Sequence, residues 1–97
     1  MIIRIVRMHF TENSAEEFLT IFQAHQNKIR HVSGCSHLEL LREHGSPFTF
    51  TTLSHWANPA DLEAYRQSTL FKTVWGQVKP LFSQKPEAFS FEKFIEV

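Results

Sequence analysis

Hydrophobic positions along the chain follow two different periods, and the switches between them predict its elements. Residues 2 to 10 are rich in Ile, Val and Phe with no Gly or Pro, and their apolar side chains fall on both faces of an extended run. That pattern predicts a strand covered on both sides. From about residue 14 to 31 the period becomes helical, with Phe18, Ile21, Phe22, His25 and Ile29 on one stripe and Ser14 and Glu17 spaced as a capping box. Beyond Gly34, the runs Cys35 to Arg42 and Phe48 to Trp56 flank His44, Gly45, Ser46 and Pro47, which predicts a hairpin. Asn58 followed by Pro59 predicts a second helix, because Asn accepts from a free amide and Pro loses nothing at the first helical position. Ser68 is expected to interrupt that helix. Phe71, Val74, Trp75, Val78 and Phe82 then continue an apolar stripe that stops between Pro80 and Pro86, and Ala88 to Glu96 reads as the last strand.

The order is β-α-β-β-α-β, an α+β chain of ferredoxin-like topology with an antiparallel sheet and helices on one face, read as one domain over 1–97. Helices on one face leave the other side of the first strand uncovered. A second copy related by a two-fold axis is the simplest cover, so a homodimer through the sheet face is expected. Alternation places Leu38, Leu40, Phe48, Phe50 and Trp56 toward the helices, with Cys35, His37, Glu39, Thr49, Thr51, Leu53 and His55 opposite. Val6, Met8 and Phe10, with Phe89, Phe91 and Ile95, are likewise expected toward the helices, and Ile3, Ile5, Arg7 and His9 away from them.

Composition narrows the function classes. Ten Phe and two Trp in 97 residues are a heavy aromatic load for a chain that buries only somewhat over about 60% of its unfolded surface, so some rings should line a pocket or an interface. Ten basic residues balance ten acidic ones with no basic run, which argues against a nucleic-acid partner. The single Cys35 rules out an internal disulfide and suits a reducing compartment. The opening Ile2 to Arg7 is broken by charge and does not read as a signal peptide, and no apolar run approaches the ~20 residues that span a bilayer. A cytoplasmic location, without a membrane partner, is expected.

The candidate chemistry is a pocket between helices and sheet where His25, Trp56, Tyr65, Phe71 and Trp75 converge. A histidine in apolar surroundings tends to be neutral and could take a proton from a phenol or hydroquinone. The plainer alternative is a core histidine bonded to a backbone carbonyl. Trp56 and Trp75 either stack on a flat ligand or serve packing. His9, His37 and His55 fall on the presumed dimer face, but without the short spacing of a metal motif, so no metal is expected there. Only three Gly are present and none forms a phosphate or dinucleotide loop.

Over almost its whole length the chain resembles the antibiotic biosynthesis monooxygenase (ABM) family. The likeness lies in Ile2 Ile3 Arg4 Ile5 Val6, Glu17 Phe18 Leu19, Gly34 Cys35 with Leu38 Glu39 Leu40 Leu41, Trp56 before the Asn58 Pro59 helix start, and Ser68 with Leu70 Phe71. The resemblance implies a dimeric α+β barrel with one pocket per subunit. It also implies oxidation of an aromatic polyketide or quinol by molecular oxygen without metal, flavin or haem. Trp56 matches the Trp near the end of the third strand in the polyketide oxidases, whereas Thr52 stands where they carry Asn and Leu62 where they carry Tyr. The related haem-degrading oxygenases have a ligating His where this chain has Trp75 and an Asn where it has Val6, so a haem cofactor is not expected.

Three functions fit this reading. One is a cofactor-independent monooxygenase acting on a phenolic, quinol or polyketide-like molecule, with His25 and Trp56 catalytic and Thr52, Tyr65, Phe71 and Trp75 against the substrate. The second is a non-catalytic dimer that binds or senses an aromatic small molecule. The third is another small-molecule enzyme of the same fold that uses His25 for proton transfer.

Overall fold

Helix boundaries follow from which side chains can replace missing backbone partners. In the computed structural model, which describes residues Met1–Val97, helix α1 spans Glu12–Arg30 and is capped one turn earlier than Ser14 suggests. The Thr11 hydroxyl accepts from the Ser14 amide at 3.2 Å, and the Ser14 hydroxyl accepts from the Thr11 amide at 2.9 Å, so Ser14 fills the reciprocal place expected of Glu17. Helix α2 (Pro59–Arg66) begins where Asn58 Oδ1 accepts from the Asp61 amide at 2.8 Å. Ser68 divides it from α3 (Thr69–Val78) as expected: its hydroxyl donates to the Tyr65 carbonyl at 2.6 Å and accepts from the Phe71 amide at 3.1 Å. A short 3-10 turn at Lys79–Leu81 follows.

Strands β1 (Ile2–His9), β2 (Cys35–Arg42), β3 (Thr49–Trp56) and β4 (Glu87–Glu92) form one antiparallel sheet in the order β2-β3-β1-β4, the ferredoxin-like arrangement expected. Because β1 is central, its register sets both neighbours. Ile2 faces Trp56 and Glu92, while Ile5 faces Leu53 and Phe89.

The structure corrects the face assignment at five residues. Directly opposed residues of antiparallel strands point to the same side, so Phe89 and Phe91 share the face of Ile5 and Ile3 and turn away from the helices. They are 53% and 48% exposed. The strand ends at Glu92, which leaves Ile95 outside the sheet and exposed. Phe48, expected inward, lies in the exposed hairpin turn. Cys35 moves the other way. A bulge between Cys35 and His37 lets Cys35 pair with Trp56 and His37 with His55, which rotates the thiol into the core.

The helix side of the sheet carries two separate apolar clusters. The larger joins Met8, Phe10 and Phe50 of the sheet side to Ala15, Phe18 and Phe22 of α1 and Val78 of α3, with the Phe10 and Phe18 rings stacked at 4.5 Å. The smaller joins Ile2, Cys35 and Trp56 to Leu62 of α2. Gly34 sets the chain direction into the second cluster at φ 88°, a left-handed backbone, with Asp61 lying where a Cβ would stand.

Candidate functional site

Between the two clusters the inward row of the sheet turns small and polar. Along β1 the inward positions read Ile2, Arg4, Val6, Met8, and along β3 they read Phe50, Thr52, Ser54, Trp56, so Arg4, Thr52 and Ser54 interrupt the apolar surface. Without large apolar side chains there, the helices bridge a gap. The gap is a cavity of about 320 Å³. Its floor is Arg4, Val6, Met8, Leu38, Thr52, Ser54 and Trp56; Phe18, Phe22 and Ile29 of α1, Leu62, Tyr65 and Arg66 of α2, and Phe71, Val74, Trp75 and Val78 of α3 form the roof; Pro86 and Ala88 close one side. This volume suits a small aromatic molecule.

One wall is a run of rings in contact. Tyr65 stacks on Trp56 with centroids 5.0 Å apart, Phe71 meets Tyr65 edge-on at 5.2 Å, and Trp75 lies nearly parallel to Phe71 at 5.8 Å. Each ring holds the next, so the wall is stiff as well as apolar. Trp56 is held further by its indole N–H, which donates to the Ser54 hydroxyl at 2.9 Å. Burial pushes the Tyr65 phenol up to about 12, which keeps it a neutral hydrogen-bond donor.

The charge in the cavity is all of one sign. Arg4 and Arg66 are its only ionic lining residues, and no Asp, Glu or His lines it. Arg4 is half-buried and bonds through one nitrogen to the Ser90 hydroxyl at 3.0 Å, without an acidic partner. Burial, and then the neighbouring Arg66 charge, push the Arg4 guanidinium below its ordinary value. Arg66 pairs with Glu63 at 3.2 Å on the exposed side of α2.

The model of the antibiotic biosynthesis monooxygenase family matches residues 1–75. The chain belongs to this family. No curated protein matches it in sequence. Among solved structures, an antibiotic biosynthesis monooxygenase superposes with a TM-score of 0.90 at 15% identity, covering 98% of this chain and 100% of that one. A conserved protein of Methanosarcina mazei Go1 gives 0.90 at 19% identity over 97% and 94% of the two chains. A protein of Mycobacterium tuberculosis gives 0.88 at 15% identity over 98% and 96%. At such identities these likenesses speak for the fold alone.

In this ABM-family chain, five of the six residues singled out from sequence come together: Thr52, Trp56, Tyr65, Phe71 and Trp75 all line the cavity. His25 does not. Its half-buried ring lies outside the lining residues, and its Nδ1–H donates to the Ile21 carbonyl at 2.8 Å within α1. The expected convergence of His25 with the aromatic wall is therefore corrected: its ring bonds back to the carbonyl one turn earlier and takes no place in the lining. Arg4 and Arg66 were missed, although Arg4 shares the parity of Val6 and Met8, and Arg66 lies one helical turn beyond Leu62.

His9, His37 and His55 fall on the open face but do not gather. His37 and His55 are cross-strand neighbours with ring centroids at 4.8 Å, whereas His9 lies six positions along β1 and contacts Glu87 at 2.9 Å. Glu87 also accepts from Arg7, which grips Glu43 through two bonds of 2.8 and 2.9 Å.

Partial burial, then the charges of His37 and Lys93, lower the His55 pKa, with Glu39 opposing. The folded chain therefore binds less proton than the unfolded chain, whose His titrates near 6.5. Stability from this group is present above about pH 6.5 and is lost as pH falls through the lower folded value. Urea midpoints at pH 8 and pH 5.5 are expected to differ less for His55→Gln than for wild type, and an unchanged difference would show that His55 does not contribute.

Proposed function

We propose that the cavity is the active site of an oxygenase that oxidises a phenolic, quinol or polyketide-like molecule with molecular oxygen. What supports this reading is the aromatic wall of Trp56, Tyr65, Phe71 and Trp75 in a cavity with Arg4, Thr52 and Ser54 on its floor, inside an ABM-family chain. Flat rings fill such a slot, and a stiff ring wall keeps a reactive anion in one orientation. The substrate loses a proton and gives one electron to oxygen, and the radical pair then combines. For a ring-activated CH2 group the resulting hydroperoxide loses water, so CH2 and O2 become C=O and H2O. A quinol takes up O2 at a ring carbon in the same way, and loss of water from that hydroperoxide leaves a hydroxyquinone, so quinol and O2 become hydroxyquinone and H2O. No external reductant is needed in either case.

His25 has no place in this scheme. With no carboxylate or imidazole in the lining, the protein lowers the substrate's own pKa electrostatically and lets water carry the proton away. The same lack of a base favours a second reading, a dimer that binds its ligand without turning it over.

Oxygen uptake by the purified protein against a panel of quinols and polyphenols separates the two. Trp75→Leu is expected to cut protein-dependent uptake by about tenfold or more, the scale of a lost positioning contact. His25→Ala is expected to leave uptake unchanged. Uptake abolished by His25→Ala would place the chemistry elsewhere, and saturable binding without any uptake would favour the binding dimer.

The working unit of this reading is a homodimer closed through the open sheet face. Its support is the apolar centre of that face, where Ile5 is flanked by Leu53 and Phe89 and Ile3 by Phe91.

A further inference from the structure

Apolar cavities lined by rings bind neutral molecules well, and a guanidinium in such a wall costs free energy unless something balances it. Arg4 is in that position. It is half-buried on the cavity floor between Ser54 and Ser90 of the adjoining strands, its one side-chain bond goes to a neutral hydroxyl, and it takes part in no ion pair. A second guanidinium, that of Arg66, lines the same cavity from α2 and acts on Arg4 as a like charge. Arg66 has only one nitrogen engaged, at 3.2 Å from Glu63, so the rest of its fork is free. Two cations brought together across a largely apolar space, with no acid among the lining residues, form an arrangement that an anion completes.

We propose that Arg4 and Arg66 are the anion-recognition end of this cavity, and that its ligand is an aromatic molecule carrying an ionised oxygen group, a carboxylate or a phenolate, held by the guanidiniums while its ring lies against the Trp56–Tyr65–Phe71–Trp75 wall. This rests on the reading of the cavity as the ligand site and adds the charge of the ligand to it. The two ends of the cavity then read two properties of one molecule. The rings select for flatness, and the arginines select for an oxyanion over a neutral analogue of the same shape. For a phenolate, the same contact lowers the substrate's pKa and so supplies the deprotonation for which the cavity has no base.

The test compares 2-naphthoate, the isosteric neutral 2-naphthamide, and 2-naphthol followed from neutral pH through its own ionisation, by quenching of tryptophan fluorescence in the full chain. Wild type is expected to bind naphthoate about tenfold or more tightly over the amide, the range of a hydrogen bond to a charged group. Arg4→Gln and Arg66→Gln are each expected to reduce that preference, weakening naphthoate several-fold more than the amide. Arg66 is exposed on α2, so its variant retains the fold if the half-buried Arg4 variant does not. A rise in naphthol affinity on ionisation, absent in the variants, would mark the phenolate as the recognised group; a preference confined to naphthoate would mark the carboxylate. Equal binding of acid and amide, with naphthol indifferent to its ionisation, would overturn the proposal while sparing the cavity as a ligand site. Failure of all three probes to bind would remove the cavity reading and this inference with it.

Discussion

Trp56→Ala is expected to cost the chain a large part of its stability. Trp56 is 1% exposed and is the largest fully buried side chain. It joins Ile2, Cys35 and Leu62 into the smaller of the two clusters, stacks under Tyr65, and is tied to Ser54 through its indole N–H. Truncating a buried Trp to Ala costs about 3–5 kcal/mol, against a total stability of about 5–15 kcal/mol for ordinary domains. For a chain of this length that corresponds to a fall in Tm on the order of 10 to 40 °C. Collapse of the site is not expected to offset the loss, because the cavity already lies on one side of the ring and the hole would merge with it. Trp56→Phe keeps a ring over Tyr65 and gives up only the second ring and the Ser54 bond, so its cost is expected to be less than half as large. Thermal melts of the two variants check this. Equal, small losses would mean that the second cluster contributes little to the fold, and that Trp56→Ala could serve directly as a probe of ligand contact.

The parts of this fold that were legible in the sequence are those decided within a few residues. Asn58 and Pro59 start a helix wherever they occur together with a following apolar stripe, and Ser68 closes one helix and opens the next with a single hydroxyl. Parity along β1 and β3 was legible too, and it puts Thr52 and Trp56 on the cavity floor. What was not legible depends on partners distant in sequence. Phe89 and Phe91 alternate just as core residues do, and only their pairing with Ile5 and Ile3, more than eighty residues away, turns them outward. Cys35 has the parity of His37, but a one-residue bulge reverses it. His25 keeps helical spacing with Phe18 and Ile21, yet spacing cannot say that its ring bonds back to the Ile21 carbonyl instead of entering the cavity. The arginines were within reach of the reasoning that located the rings: a charged residue at an inward position is a stronger signal than one more aromatic, because it needs a reason to be there.

A glutamate at Ile5 is expected to convert the proposed dimer to monomer without unfolding it. Ile5 is the middle residue of the central strand on the face without helices, between Leu53 on one side and Phe89 on the other, with Ile3 and Phe91 in the next row. An apolar row of this kind, open in a single chain, costs little to leave in water at one residue but much across the whole patch, and covering it is what would drive two copies together. A carboxylate placed at its centre loses hydration on association and meets its own symmetry mate, so the penalty is counted twice in a two-fold interface. In the monomer the same side chain points to solvent, where it costs little beyond a lower strand propensity. Sedimentation or light scattering over a range of concentrations is therefore expected to show wild type as a dimer and Ile5→Glu as a monomer with its circular dichroism retained. The helix-side cavity would persist in that monomer, since none of its lining residues comes from the open face. A dimer that survives the substitution would mean that the open face is not the interface, and a wild type that is monomeric throughout would mean that Phe89 and Phe91 are exposed for a different partner.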